Sequence, residues 1–381
     1  MSDDTATNNQ AEILDELDED RLDDIEPLVL QGDRRLVTQP YDYSIQQLVD
    51  EIKRKKILLD IEYQRQYVWD DGKASRLIES LMLNVPIPVC YFAEDDDFNF
   101  EVIDGLQRIT SLRRYLADEF PLTGITVLSE IAGMKFSDLT PRDQRRLANR
   151  TIRCVAITAD SHPDIKFDVF ERLNTNVAVL TAQEIRNCVY RGDFNNSLKR
   201  YSAASQIKDL VGAGGAKRMV AEELTLRFLA LNEGLADYRP PLRQFLNTYM
   251  RGRRNTEMSA DEISLVDDCV GAVLDVFGTS AFQVPDRAGQ VHNTLNKALF
   301  DAIMVSVARV DRTELRVRRE EFRNLIQTVL ADDDFRTALG RATADRKRVY
   351  GRVRRISAEL NSRGVTARAL DVVGVDDSEE L

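Results

Sequence analysis

This sequence predicts an α+β protein, a mixed α/β N-terminal domain followed by an all-helical domain. Three observations predict it. Short strand-like runs alternate with amphipathic helical spacing as far as about residue 180. Beyond Thr181 the strand signal vanishes and helical periodicity alone remains. The chain, at 381 residues, can bury one large or two ordinary cores. A break near residue 200 separates residues 37–200 from 201–365, flanked by an acidic leader (1–36) and an acidic tail (366–381).

In the leader, Ile13, Leu14, Leu17 and Leu22 offer at most a short amphipathic segment. Tyr43 to Lys56 places Ile45, Leu48 and Ile52 at helical spacing and ends in Lys and Arg, which suit a helix C-terminus. A short strand over 57–62 and a loop over 63–71, containing the single Trp69, lead to a helix over 72–84 that buries Leu77, Ile78, Leu81 and Met82. Val89–Ala93 and Phe98–Ile103 form a hairpin around the acidic turn 94–97. Thr151–Thr158 is a further strand, and Asp164–Leu173 a helix. Helical periodicity then covers 181–191, 217–233, 239–252, 259–277, 289–310, 315–331 and 343–360, with a glycine-rich link at 212–215.

Composition narrows the class. Hydrophobic residues at 43% and charged residues at 30% are those of a globular protein. No apolar run approaches the ~18 residues that span a bilayer, and the polar, acidic start is no secretory signal. Cys90, Cys154, Cys188 and Cys269 are too widely spaced for a metal site and read as free thiols, which points to a cytoplasmic setting. The net charge of −12 is unevenly placed. Residues 1–26 carry eleven acids and one arginine, and residues 371–381 five acids and no base, so the body between them is slightly basic. Such tails are ordinarily solvated.

The most informative stretch is Val102-Ile103-Asp104-Gly105-Leu106-Gln107-Arg108-Ile109-Thr110. A strand stops at Asp-Gly, and a helix with Leu106, Ile109, Leu112 and Leu116 starts at once. Asp104 stands where an N-cap belongs, and Gly105 allows close backbone approach. Gln107 and Arg108 project from a first turn whose free N–H groups favour an anion. Two readings follow from these residues: a phosphate-and-cation cradle, or a capped helix in which Arg108 pairs with a nearby acid.

Further blocks stand in a fixed order around it. Upstream are Ile61-Glu62-Tyr63-Gln64-Arg65-Gln66-Tyr67-Val68-Trp69 and Val85-Pro86-Ile87-Pro88. Downstream are Phe170-Glu171-Arg172-Leu173-Asn174-Thr175 and Leu180-Thr181-Ala182-Gln183-Glu184-Ile185-Arg186-Asn187. The series resembles the N-terminal domain of the GmrSD-type modification-dependent restriction enzymes, a ParB/sulfiredoxin-like family, over roughly residues 40 to 195. A weaker echo is Asn296-Lys297-Ala298-Leu299-Phe300-Asp301. Two positions depart from the family pattern. Leu106 replaces the first glutamine of Asp-Gly-Gln-Gln-Arg, and Asn176-Val177 stand where relatives carry two glycines.

The resemblance implies a nucleoside-triphosphate-binding, DNA-processing protein of the restriction or anti-phage type, since relatives bind and in some cases hydrolyse nucleoside triphosphates and some cleave or nick DNA. On that reading Asp104 and Arg108 are catalytic, and Asp104 holds Mg²⁺ or another divalent cation. Arg65, Gly105, Gln107, Thr110, Arg172, Asn174 and Thr175 contact the nucleotide, the arginines because forked donors suit phosphate oxygens. The alternative is an inactive regulator or adaptor. Trp69 either stacks on a base or anchors its loop in the core. Glu184 and Arg186 either touch the pocket or brace the domain junction. Residues 341–355 hold seven bases and one acid, so Arg348, Arg352 and Arg355 are candidate DNA contacts, with Arg251-Gly252-Arg253-Arg254 a second basic patch; either face is equally read as merely solvated. Many relatives fuse an HNH nuclease, but this chain has only His162 and His292, so a separate nuclease or methyltransferase subunit becomes a candidate partner. No phosphate-loop, zinc or serine-hydrolase motif occurs.

Overall fold

The computed structural model describes residues 35–59, 67–95, 97–173, 180–211, 219–285 and 291–366, and the chain divides into two compact units between Val189 and Tyr190. The break expected near residue 200 would fall inside a helix, Asp193–Ala204.

In the N-terminal unit, five strands form one mixed sheet: β1 (Thr38–Ser44), β2 (Ile57–Leu58), β3 (Cys90–Glu94), β4 (Phe100–Asp104) and β5 (Thr151–Ile157), in the order β1-β5-β3-β4-β2. β3 and β4 are the expected antiparallel hairpin, with a register shift between Tyr91 and Phe92. β3 runs parallel to β5, pairing Cys90 with Cys154. β1 was not expected. It pairs antiparallel with the whole of β5 and alternates, turning Tyr41 and Tyr43 towards the core.

Four helices position the corner after β4. α1 (Ile45–Lys53) starts at Ser44, whose side chain and that of Gln47 form a reciprocal capping box, and buries Ile45, Leu48 and Val49. α2 (Asp71–Met82) is capped by Asp70 and buries Leu77, Ile78, Leu81 and Met82. α3 (Leu106–Leu116) buries Ile109, Leu112 and Tyr115. α4 (Pro141–Ala148), unforeseen from sequence, buries only Leu147 and is capped by Thr140 with Pro141 in its first turn. Glu79 of α2 ties down the 126–128 segment, its Oε1 accepting from the amides of Thr126, Val127 and Leu128 at 3.0, 2.7 and 2.9 Å. α5 (Pro163–Leu173) packs against β4 and against α6 (Ala182–Val189).

Among the described residues the second unit is helical, with one exception. Residues 283–285 and 291–295 form a two-stranded antiparallel ribbon, so the helix expected from 289 begins at Lys297 and is capped there by Asn296. The expected 315–331 helix is three short ones, Arg312–Val317, Arg319–Phe322 and Leu325–Leu330. Among the described residues, no helix is long and apolar enough to cross a membrane.

Candidate functional site

The corner between β4 and α3 is built around Gly105. Its φ of +99° lies in the left-handed region, and a Cβ there would stand 2.5 Å from Cys90 Sγ. Only glycine fits both demands. Gly105 itself is the N-cap of α3, with no side-chain cap bond, so the expectation that Asp104 caps this helix is corrected. The tight turn leaves the Asp104 carboxylate pointing elsewhere. Its Oδ2 accepts from Arg108 Nη2 at 2.6 Å, an i,i+4 pair that turns the strand end onto the first helical turn. Arg108 also donates through Nη1 to the Pro88 carbonyl, and its Nη2 lies 3.5 Å from the Val89 carbonyl. With 11% of its side chain exposed, Arg108 is a clamp between the corner and the Pro86-Ile87-Pro88 turn. Asp104 is 23% exposed, and among the described residues only its Oδ2 is engaged.

Gln107 is tied into the same corner. Its Oε1 accepts from the amides of Val68 and Trp69 at 2.9 and 3.2 Å. One turn on, Ser111 Oγ donates to the Gln107 carbonyl at 2.7 Å and shares a 2.9 Å hydrogen bond with Tyr67. Arg114 stacks 4.6 Å over the Tyr67 ring and pairs with Asp71 at 3.2 Å. Residues 107, 111 and 114 lie on one face of α3, and together they fasten segment 67–71. Two motif blocks that lie far apart in sequence thus meet. Trp69 packs on the core, as the anchoring alternative has it, and so does Leu106, which accounts physically for leucine at that departure. Thr110 is half-buried on α3.

Of the remaining nucleotide candidates, Arg65, Asn174 and Thr175 lie outside the described residues. Arg172 is exposed at the end of α5, and no hydrogen bond or ion pair joins it to Asp104 among the described residues. Glu184 and Arg186 are buried. Glu184 completes the capping box that Thr181 begins, with bonds of 2.5 and 3.1 Å. Arg186 lies 5.8 Å from the Phe167 ring, so this segment braces α6 against α5.

Sequence reasoning passed over Cys90 because no motif contains it. It follows the Pro-Ile-Pro turn and sits directly beneath Gly105, and strand register sets it beside Cys154. A hydrogen bond from Cys154, with help from the Arg108 guanidinium, holds the Cys90 thiol below its usual range. The same hydrogen bond, together with burial, pushes Cys154 far up.

The C-terminal arginines need one correction. Arg352 is 1% exposed, donating at 2.7 Å to both the Ala338 and Thr343 carbonyls, and cannot reach DNA. It falls on the stripe with Val349, Val353, Ile356 and Leu360, the buried face of its helix. Burial pulls its guanidinium down to about 10, so it remains charged at neutral pH. Arg348 donates to the Arg341 carbonyl, and Arg355 pairs with Glu359 at 3.1 Å and Asp332 at 3.4 Å. In the second patch Arg253 pairs with Glu262 and Arg254 Nε donates to the Arg191 carbonyl at 2.6 Å.

The Asn296–Asp301 echo is equally committed inside its unit. Asp301 pairs with Arg227 at 2.6 Å, both nearly fully buried, and Lys297 pairs with Glu223 at 2.9 Å.

Among the described residues no group of three or more His, Cys, Asp or Glu side chains could hold a metal ion. A cation at Asp104 would therefore take most of its ligands from water and bound phosphate, the usual habit of Mg²⁺.

Residues 45–191 match the family model of the GmrSD restriction endonuclease, N-terminal domain. The matched span opens at the first residue of α1 and closes just beyond α6, so it takes in the corner, the 67–71 segment, Cys90 and Cys154. No curated protein matches the chain.

Proposed function

We propose, from the premise that residues 45–191 belong to the GmrSD N-terminal domain family, that this is a restriction-type defence protein acting on DNA, with a nucleoside triphosphate and Mg²⁺ bound at the Asp104 corner. The observation that carries it is the partly exposed Asp104 carboxylate, anchored among the described residues through Oδ2 alone, beside a helix N-terminus opened by left-handed Gly105. A carboxylate offers a cation one oxygen, and the first-turn amides of α3 offer a phosphate their N–H groups. The cation supplies charge neutralisation at the phosphates.

Within this reading Arg108 is a positioning residue. Its donors already hold Asp104 and two carbonyls, so it acts by fixing the carboxylate. Gln107 likewise works by holding segment 67–71 against α3. Gly105 admits the phosphate, and Thr110 one turn on is a candidate contact. Arg65, Arg172, Asn174 and Thr175 remain candidate contacts to phosphate, ribose or base, on the family resemblance.

One observation favours a second reading, the inactive adaptor: Arg108 and Gln107 are both engaged in building the corner. Calorimetric titration with each of the four ribonucleoside triphosphates and Mg²⁺ tests the first reading. Binding of at least one is expected, with Asp104→Ala weakening it tenfold or more. Binding unaffected by that change would overturn the site, and binding without phosphate release would leave the adaptor.

A further inference from the structure

Helix α4 has a feature that no motif predicts. Arg142, Arg145 and Arg146 are all exposed, and among the described residues none makes an ion pair or side-chain hydrogen bond. At 3.6 residues per turn the three side chains fall within an arc of about 100°. Asn149, also exposed, extends the same stripe by one turn. Opposite it lie buried Leu147 and the half-buried Gln144.

The helix presenting this stripe is firmly held. Gln144 Nε2 donates to the carbonyls of Phe136, Ser137 and Leu139 at 3.1, 3.2 and 3.1 Å. Thr140 Oγ1 accepts from the Asp143 amide at 3.2 Å and donates to its carboxylate at 2.6 Å. Asp143 is therefore occupied with its own cap, and it is the sole acid of the helix.

We infer that the Arg142–Arg145–Arg146 face of α4 docks the sugar–phosphate backbone of duplex DNA. Three like charges at i, i+3 and i+4 repel one another, an arrangement that costs the isolated protein and is relieved by a polyanion. Guanidinium forks suit phosphate oxygens, and a helical row of them matches a backbone rather than a single small anion. Nothing in the arrangement reads bases, so the contact is sequence-independent and sets the register of the domain on DNA. The inference takes from the proposed function only that DNA is a partner, and it does not depend on a nucleotide at Asp104.

The test is fluorescence anisotropy of a labelled ~20-bp duplex against the full chain, at ~50 and ~200 mM salt. Replacing Arg142, Arg145 and Arg146 together by Gln should weaken binding at least tenfold and lower the slope of log K against log salt by about 2.7, three phosphate contacts at ~0.9 each. Arg318→Gln, which removes an ion-paired arginine of the helical unit, should leave both unchanged. The anisotropy is run without nucleotide, so failure of the nucleotide reading shows in the calorimetry and failure of this one in the anisotropy. The stripe is exposed, and a cooperative circular-dichroism melt at or above the temperature of the unaltered chain would confirm that the triple variant folds. DNA binding that survives the triple change, or is absent from the unaltered chain, would overturn the assignment. Polyglutamate bound as tightly as DNA would overturn it too, by giving the face to an acidic protein.

Discussion

Arginines of the helical unit and those of α4 in the N-terminal unit are put to opposite uses. In the helical unit Arg227, Arg352, Arg355, Arg316 and Arg318 are tied to carboxylates or carbonyls; Arg227 and Arg352 are buried. In the N-terminal unit Arg142, Arg145 and Arg146 stand in solvent with no partner among the described residues. The C-terminal run is the longer in sequence and reads as the stronger polyanion site, yet the shorter run keeps its charge available. Field strength at a surface follows unpaired charge, so a count of basic residues misleads wherever acids three or four positions away neutralise them.

That contrast breaks most visibly in the core of the helical unit. Asp301→Ala would take from buried Arg227 its bidentate carboxylate, while Glu223, 3.5 Å from Arg227, is shared with Lys297. A loss of about 3–5 kcal/mol is expected, because the guanidinium stays desolvated with its nearest carboxylate gone. Urea denaturation measures it, and a loss under ~1 kcal/mol would show that the pair is not essential.

Glu79 carries the same logic to a carboxylate of the N-terminal unit. Burial opposes its ionisation, but the amides of Leu128, Val127 and Thr126 outweigh that and hold its carboxyl below the usual range. Glu79→Gln should cost roughly 1–3 kcal/mol at neutral pH. A group with a depressed folded-state pKa stabilises above its unfolded value, about 4.3 for Glu, and loses that contribution as pH falls through the folded value. The gap between variant and unaltered chain should therefore close on acidification from pH ~7 to pH ~3. A gap independent of pH would assign the effect to packing.

Smaller effects sharpen the comparison at its surface. Arg318 forms pairs of 2.8 Å with Glu314 and 2.6 Å with Glu321, all three partly exposed. Arg318→Gln should cost less than about 1 kcal/mol in thermal melts, since exposed pairs contribute little. The single change Arg145→Gln should move stability by no more than ~0.5 kcal/mol in either direction. A clear stabilisation on removing all three α4 charges would show directly that they repel in the free protein.

Much of the corner was legible in sequence because it is local. The strand-then-helix reading around Asp104 and Gly105 follows from apolar spacing over about fifteen residues, and so does the β3–β4 hairpin. Asp104 as the cap was misplaced, since the sequence does not reveal that Gly105 turns left-handed over Cys90. The ribbon of 283–285 and 291–295 escaped because Val291 and Leu295 also fit a helical spacing joined to the helix from Lys297. α4 escaped because a short helix burying one leucine has almost no periodic signal. Arg352 could have been excluded: the stripe of Val349, Val353, Ile356 and Leu360 includes its position.

The sequence by itself determined the fold class, the family block and the residues at the corner, because these depend on spacing within a single element and on motif order. The tertiary structure decided how those residues are used. It put Cys90 under Gly105, gave Gln107 to the Val68 and Trp69 amides, closed Arg108 onto the Pro88 carbonyl and left the α4 arginines bare. Whether a charge is free or engaged depends on what the folded chain brings within about 4 Å of it, and pairwise spacing along the sequence carries that distance only within a helical turn or a hairpin.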